Sequence, residues 1–368
     1  MLKLFAAGVA AAIIAVASAW AAEPAPPAFK IGMTRRVFVP PEPYDWRGDP
    51  KHALAITIWY PADQAAQEKL LLLGPPDRPL FDGGRVAIDA AISATPAKFP
   101  LVVLSHGTGG TAGSLSWLGT ALAAHGYIAA AVNHPGNNAT DSYTVQGFRL
   151  WWLRARDLSA VIDGMLANPK FGPRIDQKRI GAAGHSLGGY TVIEIAGGIT
   201  STEGLVRFCA SPKADKNCVS PPEAAGLRGK SDALAKTDAA FRAALARDSL
   251  SYRDPRVRAV FAMAPSLGPA FVPDSLARIH IPVMIVAGAG DEIIPVATSA
   301  RFLATTIPEA RLIVLPGAVR HYVFAGICLD AARAMLPGLC KDAPGVDRAA
   351  VERETAQSAA RFFDRTLP

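Results

Sequence analysis

One serine of this 368-residue chain stands in a pattern that suits a nucleophile. The segment GHSLGG (184–189) follows the apolar run RIGAA and precedes the helix-like YTVIEIAGG. A strand that turns abruptly into a helix strains its central residue, and flanking glycines make room for that turn. Such a serine stands at a helix N-terminus, where the helix dipole and free amides favour developing negative charge. The pattern therefore predicts Ser186 as a nucleophile for acyl transfer.

A serine hydroxyl is a poor nucleophile at neutral pH, so it needs a base within hydrogen-bond reach and a third group that orients that base. Of the seven histidines, only His321 lies beyond the last apolar run, in LPGAVRHYVF. Asp291 directly follows an apolar run in IPVMIVAGAGDEIIP, and Glu292 beside it is the alternative acid. We therefore expect Ser186 to attack, His321 to transfer the proton and Asp291 to orient the imidazole.

A glycine-rich segment, SHGTGG at 105–110, follows another apolar run. Acyl transfer needs hydrogen-bond donors for the oxyanion of its tetrahedral intermediate. The backbone amides of Leu187, next to the nucleophile, and of Thr108, in this segment, are the expected donors. Glycines around Thr108 let the backbone approach a substrate closely. A phosphate-binding loop is not supported, since no lysine follows the glycines.

Aromatic and polar residues near these segments are candidates for a substrate pocket. Trp117, Trp151 and Trp152 lie at helical positions, and His134 ends a strand-like run within NHP. We assign Trp117 and His134 to the pocket. The alternatives stay open, since aromatic residues at helical positions also form cores and NHP also suits an ordinary turn.

Short apolar runs must position these residues. Extended segments at 31–41 and 53–62 predict an antiparallel pair. Later runs are apolar on both faces, which is typical of parallel strands covered by helices on each side. These runs are 99–107, 127–136, 179–186, 257–265, 281–290 and 311–317, with helical patterns at 114–125, 148–167, 187–197, 294–306 and 347–366. This alternation predicts an α/β fold with a mostly parallel, doubly wound sheet.

Residues 199–256 interrupt the alternation between two predicted strands. They include the turn-rich SPPEAAGLRGK and the helix-like DALAKTDAAFRAALARDSL. An insertion at this point is expected over the carboxyl ends of the strands, where open α/β sheets bind ligands. We interpret it as a helical lid or cap. An excursion packed on the side of the sheet is the alternative.

The N-terminal segment MLKLFAAGVAAAIIAVASAWAAE has a basic start, an apolar run and then small residues. Residues 1–22 are therefore predicted to be a cleavable signal peptide. A permanent anchor is the alternative, although a membrane span needs about 20 apolar residues. No later apolar run is long enough to span a bilayer. We expect a periplasmic or secreted protein whose mature part, 23–368, forms one domain.

Export places the four cysteines where disulfides persist. Their spacing suggests two local pairs, Cys209 with Cys218 and Cys328 with Cys340. Four cysteines allow three pairings, however, and buried free thiols are the alternative. Metal binding is not predicted, because no CxxC or paired-histidine spacing is present. The net charge of +7 comes from scattered basic residues, and no motif indicates nucleic-acid binding.

Five segments resemble the serine-type dienelactone hydrolase-like group of the α/β-hydrolase superfamily, and more distantly the platelet-activating factor acetylhydrolases. They are LVVLSHGTGG, AVNHPG, GAAGHSLGGY, PVMIVAGAGDEIIP and GAVRHYVF, which together follow the predicted sheet from residue 99 to about 325. The resemblance implies the α/β-hydrolase fold, which uses the chain order of Ser186, Asp291 and His321. Dienelactone hydrolases, however, carry cysteine where Ser186 stands. The acetylhydrolases carry their acid after the strand that here covers 257–265, and residues 257–270 contain no carboxylate, so the role falls to Asp291.

The resemblance implies hydrolysis of carboxylic esters through an acyl-enzyme, without a metal or organic cofactor. The expected partner is a small-molecule or polymeric ester. An amidase or peptidase with the same three residues is the main alternative. A hydrolase-like binding protein without turnover, holding an apolar ligand under the 199–256 insertion, is an alternative from another class.

Overall fold

The computed structural model describes residues 29–227 and 229–368, so the predicted signal peptide lies outside the described residues. Eleven strands occur in this described part of the chain. They are β1 (Lys30–Phe38), β2 (Leu54–Ala62), β3 (Lys69–Leu73), β4 (Phe81–Ile88), β5 (Phe99–Ser105), β6 (Ile128–Val132), β7 (Ile175–His185), β8 (Val257–Met263), β9 (Val283–Gly288), β10 (Ala310–Leu315) and β11 (Ile327–Cys328).

The strands form one mixed sheet in the order β10-β9-β8-β7-β5-β6-β2-β1-β4-β11, with β3 paired to β4. Strands β5 to β10 run parallel, whereas β2 runs antiparallel to both β1 and β6. The chain passes from β5 to β6 on one side and then returns to β7 on the other. Open α/β sheets bind ligands at such a switch point, beyond the carboxyl ends of the strands.

The antiparallel opening pair and the six parallel strands lie where the sequence predicts them. Strands β5, β6 and β9 are buried along their whole length, which matches runs that are apolar on both faces. The sequence pattern does not predict β3, β4 or β11. Strand β4, FDGGRVAI, contains two glycines, and β3, KLLLL, is short and partly exposed, so neither has a clear strand signature.

Twelve α-helices connect and flank the strands in the described residues. They are α1 (Ser116–Ala124), α2 (Val145–Arg149), α3 (Arg154–Ala167), α4 (Leu187–Ala196), α5 (Thr202–Cys209), α6 (Lys230–Thr237), α7 (Ala239–Leu245), α8 (Pro273–Leu276), α9 (Phe302–Thr306), α10 (Asp330–Met335), α11 (Pro337–Cys340) and α12 (Arg348–Thr366). None of the described helices is long and apolar enough to cross a membrane.

The helices cover both faces of the sheet, as the predicted doubly wound architecture requires. Helices α1 and α12 pack on one face around Leu118, Leu122 and Phe363. Helices α3, α4 and α9 pack on the other face around Leu158, Ile193 and Leu303. Each face buries apolar side chains from alternate positions of the same strands, so the sheet lies between two layers of core.

The insertion contributes α5, α6, α7 and two short 3₁₀ turns between α4 and β8. Its residues line the same cavity as Ser186, so it lies over the carboxyl ends of the strands and not beside the sheet. A disulfide joins Cys209 to Cys218 within the insertion. A second joins Cys328 to Cys340 near the C-terminus. Both pairs are those that the spacing suggests.

Candidate active site

Ser186 stands on a sharp turn between the end of β7 and the start of α4. Its backbone has φ 57° and ψ −118°, a conformation that non-glycine residues rarely adopt. A Cβ on Gly184 would lie 2.2 Å from the Gly188 carbonyl oxygen, and one on Gly188 would lie 1.8 Å from the Ser105 carbonyl oxygen. Glycine is therefore required at both positions, because the turn is tight at Gly184 and packs directly against β5 at Gly188.

The three residues predicted for acyl transfer form a continuous hydrogen-bonded chain. His321 Nε2 lies 2.8 Å from Ser186 Oγ, and His321 Nδ1 lies 2.8 Å from Asp291 Oδ2. The side chains of His321 and Asp291 are 3% and 1% exposed, so water barely competes for these hydrogen bonds. Ser186 keeps 8% of its surface accessible, and that surface faces the cavity.

Asp291 is held in place by the turn that follows β9. Its Oδ1 accepts hydrogen bonds from the amides of Ile293 and Ile294, at 2.9 and 2.8 Å, which leaves Oδ2 for His321. The alternative acid, Glu292, has a side chain that is 72% exposed and pairs with Arg320 at 3.4 Å. Asp291, and not Glu292, is therefore the carboxylate in contact with the imidazole.

His185 supports the neighbouring histidine through its backbone. Its Nε2 lies 3.1 Å from the His321 carbonyl oxygen, and burial lowers the pKa of His185 well below the usual value. The neutral ring therefore carries its proton on Nε2 and donates it to that carbonyl. This contact explains the role of the His185 side chain next to the nucleophile.

Two backbone amides lie at the cavity wall where the oxyanion donors are expected. Thr108, after β5, and Leu187, at the first position of α4, both line the cavity with Ser186. Neither amide donates a hydrogen bond to another residue within 29–227 or 229–368. Both are consequently available to a substrate oxygen.

Buried polar side chains hold the loop that carries Thr108 through hydrogen bonds. Asn137 Oδ1 accepts a hydrogen bond from the Gly109 amide at 2.8 Å. Arg154, which is 1% exposed, donates a hydrogen bond to the His106 carbonyl. The His106 ring accepts a hydrogen bond from the His134 amide at 3.2 Å and contacts the Gly107 carbonyl at 2.6 Å. The loop therefore has little freedom to move away from the nucleophile.

A second hydrogen-bonded chain of serine, histidine and aspartate lies beneath this loop. Ser105 Oγ lies 2.9 Å from His134 Nε2, and His134 Nδ1 lies 2.6 Å from Asp157 Oδ2. Arg47 donates two hydrogen bonds to the Asp157 carboxylate, at 2.8 and 2.7 Å. Ser105, His134 and Asp157 have no exposed surface, so this chain is closed to substrate.

Burial and the nearby charges determine the protonation of the buried Ser105, His134 and Asp157 group, which we call the inner chain. Burial, with the charge of Arg154, lowers the pKa of His134 to about 3. Burial alone would raise the pKa of Asp157, but Arg47 and His134 bring it down to about 2. At neutral pH, Asp157 is therefore ionised and His134 is neutral, with the proton on Nδ1 and with Nε2 accepting from Ser105.

Neither residue assigned to the pocket, His134 or Trp117, lines the cavity, so that part of the prediction is wrong. His134 is completely buried because the inner chain uses both of its ring nitrogens. Trp117 packs in the core beside α12, and its indole N–H donates to the Phe324 carbonyl at 3.2 Å. Trp152 is also buried in a core cluster, whereas Trp151 lines the cavity.

The sequence pattern did not identify Arg154 and Asp157 as supports of the site. They lie three residues apart in WWLRARDLSAVI and therefore share one face of α3. That face is otherwise apolar and buried. Two opposite charges on the buried face of a predicted helix are a detectable signal for a buried polar network.

A cavity of about 2000 Å³ opens above Ser186 and His321. Its walls come from the insertion, the hairpin of β3 and β4, and the segment around α10 and α11. Apolar lining side chains predominate, including Leu71, Val206, Val219 and Leu336. This volume exceeds the roughly 300–1,000 Å³ of a typical small-molecule pocket, so bulky or elongated ligands fit.

The arrangement provides each element that acyl transfer to serine requires. It presents a hydroxyl beside an imidazole, a buried carboxylate on the far side of that imidazole, and two residues of the same cavity wall, Thr108 and Leu187, whose amides have no partner among the described residues. Within the described residues, no three His, Cys, Asp or Glu side chains lie close enough together to hold a metal ion.

Comparison with known proteins places the chain among hydrolases. The Hydrolase_4 family model, described as serine aminopeptidase, S33, matches residues 97–325, which is more than half of the chain. A ferulic acid esterase from Streptomyces cinnamoneus is similar in structure, with a TM-score of 0.60 and 22% sequence identity over 92% of this chain and 90% of that chain. At this level of identity, the likeness concerns the fold.

Curated relatives match over shorter segments. Cutinase est1 of Thermobifida alba is 34% identical over 97 residues, which make up 26% of this chain and 29% of the relative. The bis(hydroxyethyl) terephthalate hydrolase of Streptomyces coelicolor is 29% identical over 32% of this chain and 34% of its own length. The platelet-activating factor acetylhydrolase of Cavia porcellus is 28% identical over 27% of this chain and 32% of its own length. The chain thus spans about a third of the length of these relatives.

The family match covers the strands that carry Ser186, Asp291 and His321, and the sheet order and the esterase neighbour agree with it. The chain therefore belongs to the serine aminopeptidase S33 family of α/β-hydrolases.

Proposed function

We propose that the protein is a serine hydrolase that cleaves carboxylic esters through an acyl-enzyme on Ser186. The observation that carries the proposal is the hydrogen-bonded chain from Ser186 through His321 to Asp291, with both distances at 2.8 Å. The names of three relatives, a cutinase, a terephthalate ester hydrolase and a ferulic acid esterase, support esters as the substrate class.

In this mechanism, His321 Nε2 takes the proton of Ser186 Oγ as the oxygen attacks the ester carbonyl. The Asp291 carboxylate keeps the other ring proton on Nδ1 and stabilises the imidazolium that forms. The amides of Thr108 and Leu187 donate hydrogen bonds to the oxyanion. His321 then gives its proton to the leaving alcohol. In the second half of the reaction, His321 takes a proton from a water molecule as this water attacks the acyl-enzyme, and it returns the proton to Ser186 Oγ as the acid leaves.

An amidase or peptidase activity at the same site is the second candidate. The family description favours it, and so does the carboxylate of Glu223, which lines the cavity and could hold an amino group of a substrate. Matched ester and anilide substrates with the same acyl group separate the two activities. A higher kcat/KM for the anilide would reverse our assignment.

We also propose that the protein acts outside the cytoplasm and that the insertion serves as a cap over the cavity. The predicted signal peptide and the two disulfides, which persist in oxidising compartments, support export. Sequencing the N-terminus of the protein recovered from periplasmic and culture fractions tests this. A mature chain that retains residues 1–22 would contradict it.

Fluorophosphonate labelling tests the nucleophile directly. We expect an adduct on Ser186 in the native protein, no adduct in Ser186→Ala, and a fall in p-nitrophenyl ester hydrolysis of about 10³-fold or more in that variant. Ser211→Ala, a serine of the insertion that does not line the cavity, is the matched control and should label normally. Native protein that remains unlabelled under conditions where a known esterase reacts would refute the proposal.

A further inference from the structure

The cavity wall contains a half-buried arginine, Arg149. Arg149 lines the cavity, and the structure gives it no ion pair or hydrogen bond with any residue in 29–227 or 229–368. Its Nη1 is buried without a hydrogen-bond partner. A buried guanidinium nitrogen normally has a partner, because leaving it unpaired costs the full desolvation of that group. Arg149 therefore has hydrogen-bonding capacity that no described residue uses.

The guanidinium is held in position by the two tryptophans beside it. Its central carbon lies 5.1 Å from the Trp151 ring centre and 5.6 Å from the Trp152 ring centre. Both distances fall in the range of cation–π contacts. Two acids of the insertion, Asp248 and Asp232, act on the charge of Arg149. Neither forms an ion pair with it in the described residues, and Asp248 instead accepts two hydrogen bonds from Thr202.

The other charges of the cavity also favour an anion. Among the lining residues that the structure describes, four are cationic and one is acidic; these are Arg35, Arg36, Arg149 and Lys216, and Glu223. Arg149 is half-buried, whereas the other three cations are exposed and therefore screened by solvent. Arg149 is thus the cation whose charge a ligand in the cavity senses most strongly.

Glu223, the one carboxylate among the described residues of the wall, lies next to the oxyanion loop. Glu223 Oε1 is 3.5 Å from the Tyr322 hydroxyl, and a Cβ on Gly109 would lie 3.1 Å from Glu223 Cγ. A negative group on a substrate is repelled there and attracted by Arg149. The two charges therefore define one orientation for a substrate that carries an ester at one end and an anion at the other.

We propose that Arg149 is a specificity-determining residue that binds a carboxylate on the substrate, so that the preferred substrates are esters with a free carboxylate remote from the scissile bond. Monoesters of dicarboxylic acids have this chemistry. This inference rests on the proposed ester hydrolysis at Ser186, because it names the substrate class of that site. A planar carboxylate matches the guanidinium through two parallel hydrogen bonds.

The test compares mono-p-nitrophenyl adipate with p-nitrophenyl hexanoate, which have acyl chains of the same length ending in a carboxylate and a methyl group. We expect the native enzyme to favour the adipate monoester by about 10-fold or more in kcat/KM. This preference should shrink as salt is added, because an ionic contact is screened. Arg149→Met should lower the preference at least tenfold, and Arg149→Lys should retain part of it.

Arg278→Met is the matched control, since Arg278 is an exposed arginine outside the cavity. This variant should favour the adipate monoester over the hexanoate as strongly as the native enzyme does. A native preference for the hexanoate, or a preference that Arg149→Met leaves unchanged, overturns the inference. If Arg149→Met fails to fold, as circular dichroism would show, Arg149→Lys and the salt dependence of the native preference decide in its place.

Failure of the proposed function gives a different result, because the native enzyme would then hydrolyse neither ester. In that case, calorimetry with the Ser186→Ala protein still decides the inference. Tighter binding of monomethyl adipate than of methyl hexanoate supports it, and equal or weaker binding contradicts it.

Discussion

Ser105 and Ser186 end neighbouring parallel strands, and each is hydrogen bonded to a histidine that a buried aspartate orients. Their difference is exposure. Ser186 keeps 8% of its surface accessible on a strained turn, whereas Ser105 is completely buried in extended backbone. The same three residue types therefore serve two purposes. We infer that the hydrogen-bonded residues Ser186, His321 and Asp291 perform the chemistry. The buried residues Ser105, His134 and Asp157 then hold the loop of Thr108 in place.

Ser105→Ala tests this positioning role. The change keeps the fold of β5 but leaves His134 Nε2 without its donor, which costs about 1–3 kcal/mol of stability. Because the Thr108 loop begins at the next residue, we expect kcat to fall about 10- to 100-fold with a small change in KM. Affinity for a boronic acid that mimics the tetrahedral intermediate should fall in parallel with kcat.

Ser275→Ala is the matched control for this change. Ser275 is also buried and hydrogen bonded, to the Val272 carbonyl at 2.6 Å, but lies in α8, away from the cavity. It should lose comparable stability and keep its kcat. If Ser105→Ala also kept its kcat, the inner chain would have only a structural role.

At the scale of elements, three segments outside the parallel strands form the cavity walls: the insertion, the hairpin of β3 and β4, and the segment around α10 and α11. The first and the third each contain a disulfide. The Cys209–Cys218 disulfide joins α5 to the 3₁₀ turn at Lys216–Cys218, and both cysteines line the cavity. The exposed apolar side chains of Val206 and Val219, at 66% and 62%, flank it. The disulfide thus holds a part of the cavity wall, around Val206 and Val219, that does not pack against the core of the protein.

Removing this disulfide should impair large substrates more than small ones. In Cys209→Ala/Cys218→Ala, we expect the insertion to loosen and unfolding to become easier by about 2–3 kcal/mol. The ratio of kcat/KM for p-nitrophenyl decanoate to that for the acetate should fall several-fold, because only the longer chain reaches this wall. Cys328→Ala/Cys340→Ala is the comparison, since that disulfide closes a loop of similar length. An equal fall for both esters would mean that the insertion does not contact the acyl chain.

Across the whole molecule, the features predictable from sequence are those with local signatures. The parallel strands are continuous apolar runs, and the turn at Ser186 has glycines that steric contacts require. The orientation of side chains on those elements is a tertiary property. For this reason, the sequence places His134 and Trp117 in the pocket, although both side chains point into the protein interior. The sequence does not single out Arg149 either, because it does not reveal whether an acid lies within reach of an arginine.

Stability over the pH range provides a test of the C-terminal packing that holds the segment after His321. Glu352 of α12 is 3% exposed, and its Oε1 accepts a hydrogen bond from the Gly326 amide at 2.9 Å. Arg348 of the same helix donates to the Gly326 carbonyl at 3.0 Å. Burial raises the pKa of Glu352 to about 8. The folded protein therefore keeps this carboxyl protonated near neutral pH, where the unfolded chain ionises it.

A group whose pKa is raised on folding stabilises the protein fully below its unfolded pKa of about 4.5, and this stabilisation is lost as pH rises toward about 8. In Glu352→Gln the side chain does not ionise, so the native protein should lose up to about 1.4 kcal/mol per pH unit relative to the variant over this window. Urea unfolding at pH values of about 5, 6 and 7.5 measures this difference, which should change by about 3 kcal/mol in total. Glu354→Gln, an exposed glutamate on the same helix, should show no such trend. Parallel stability curves for the native protein and Glu352→Gln would show that Glu352 is ionised in the folded state.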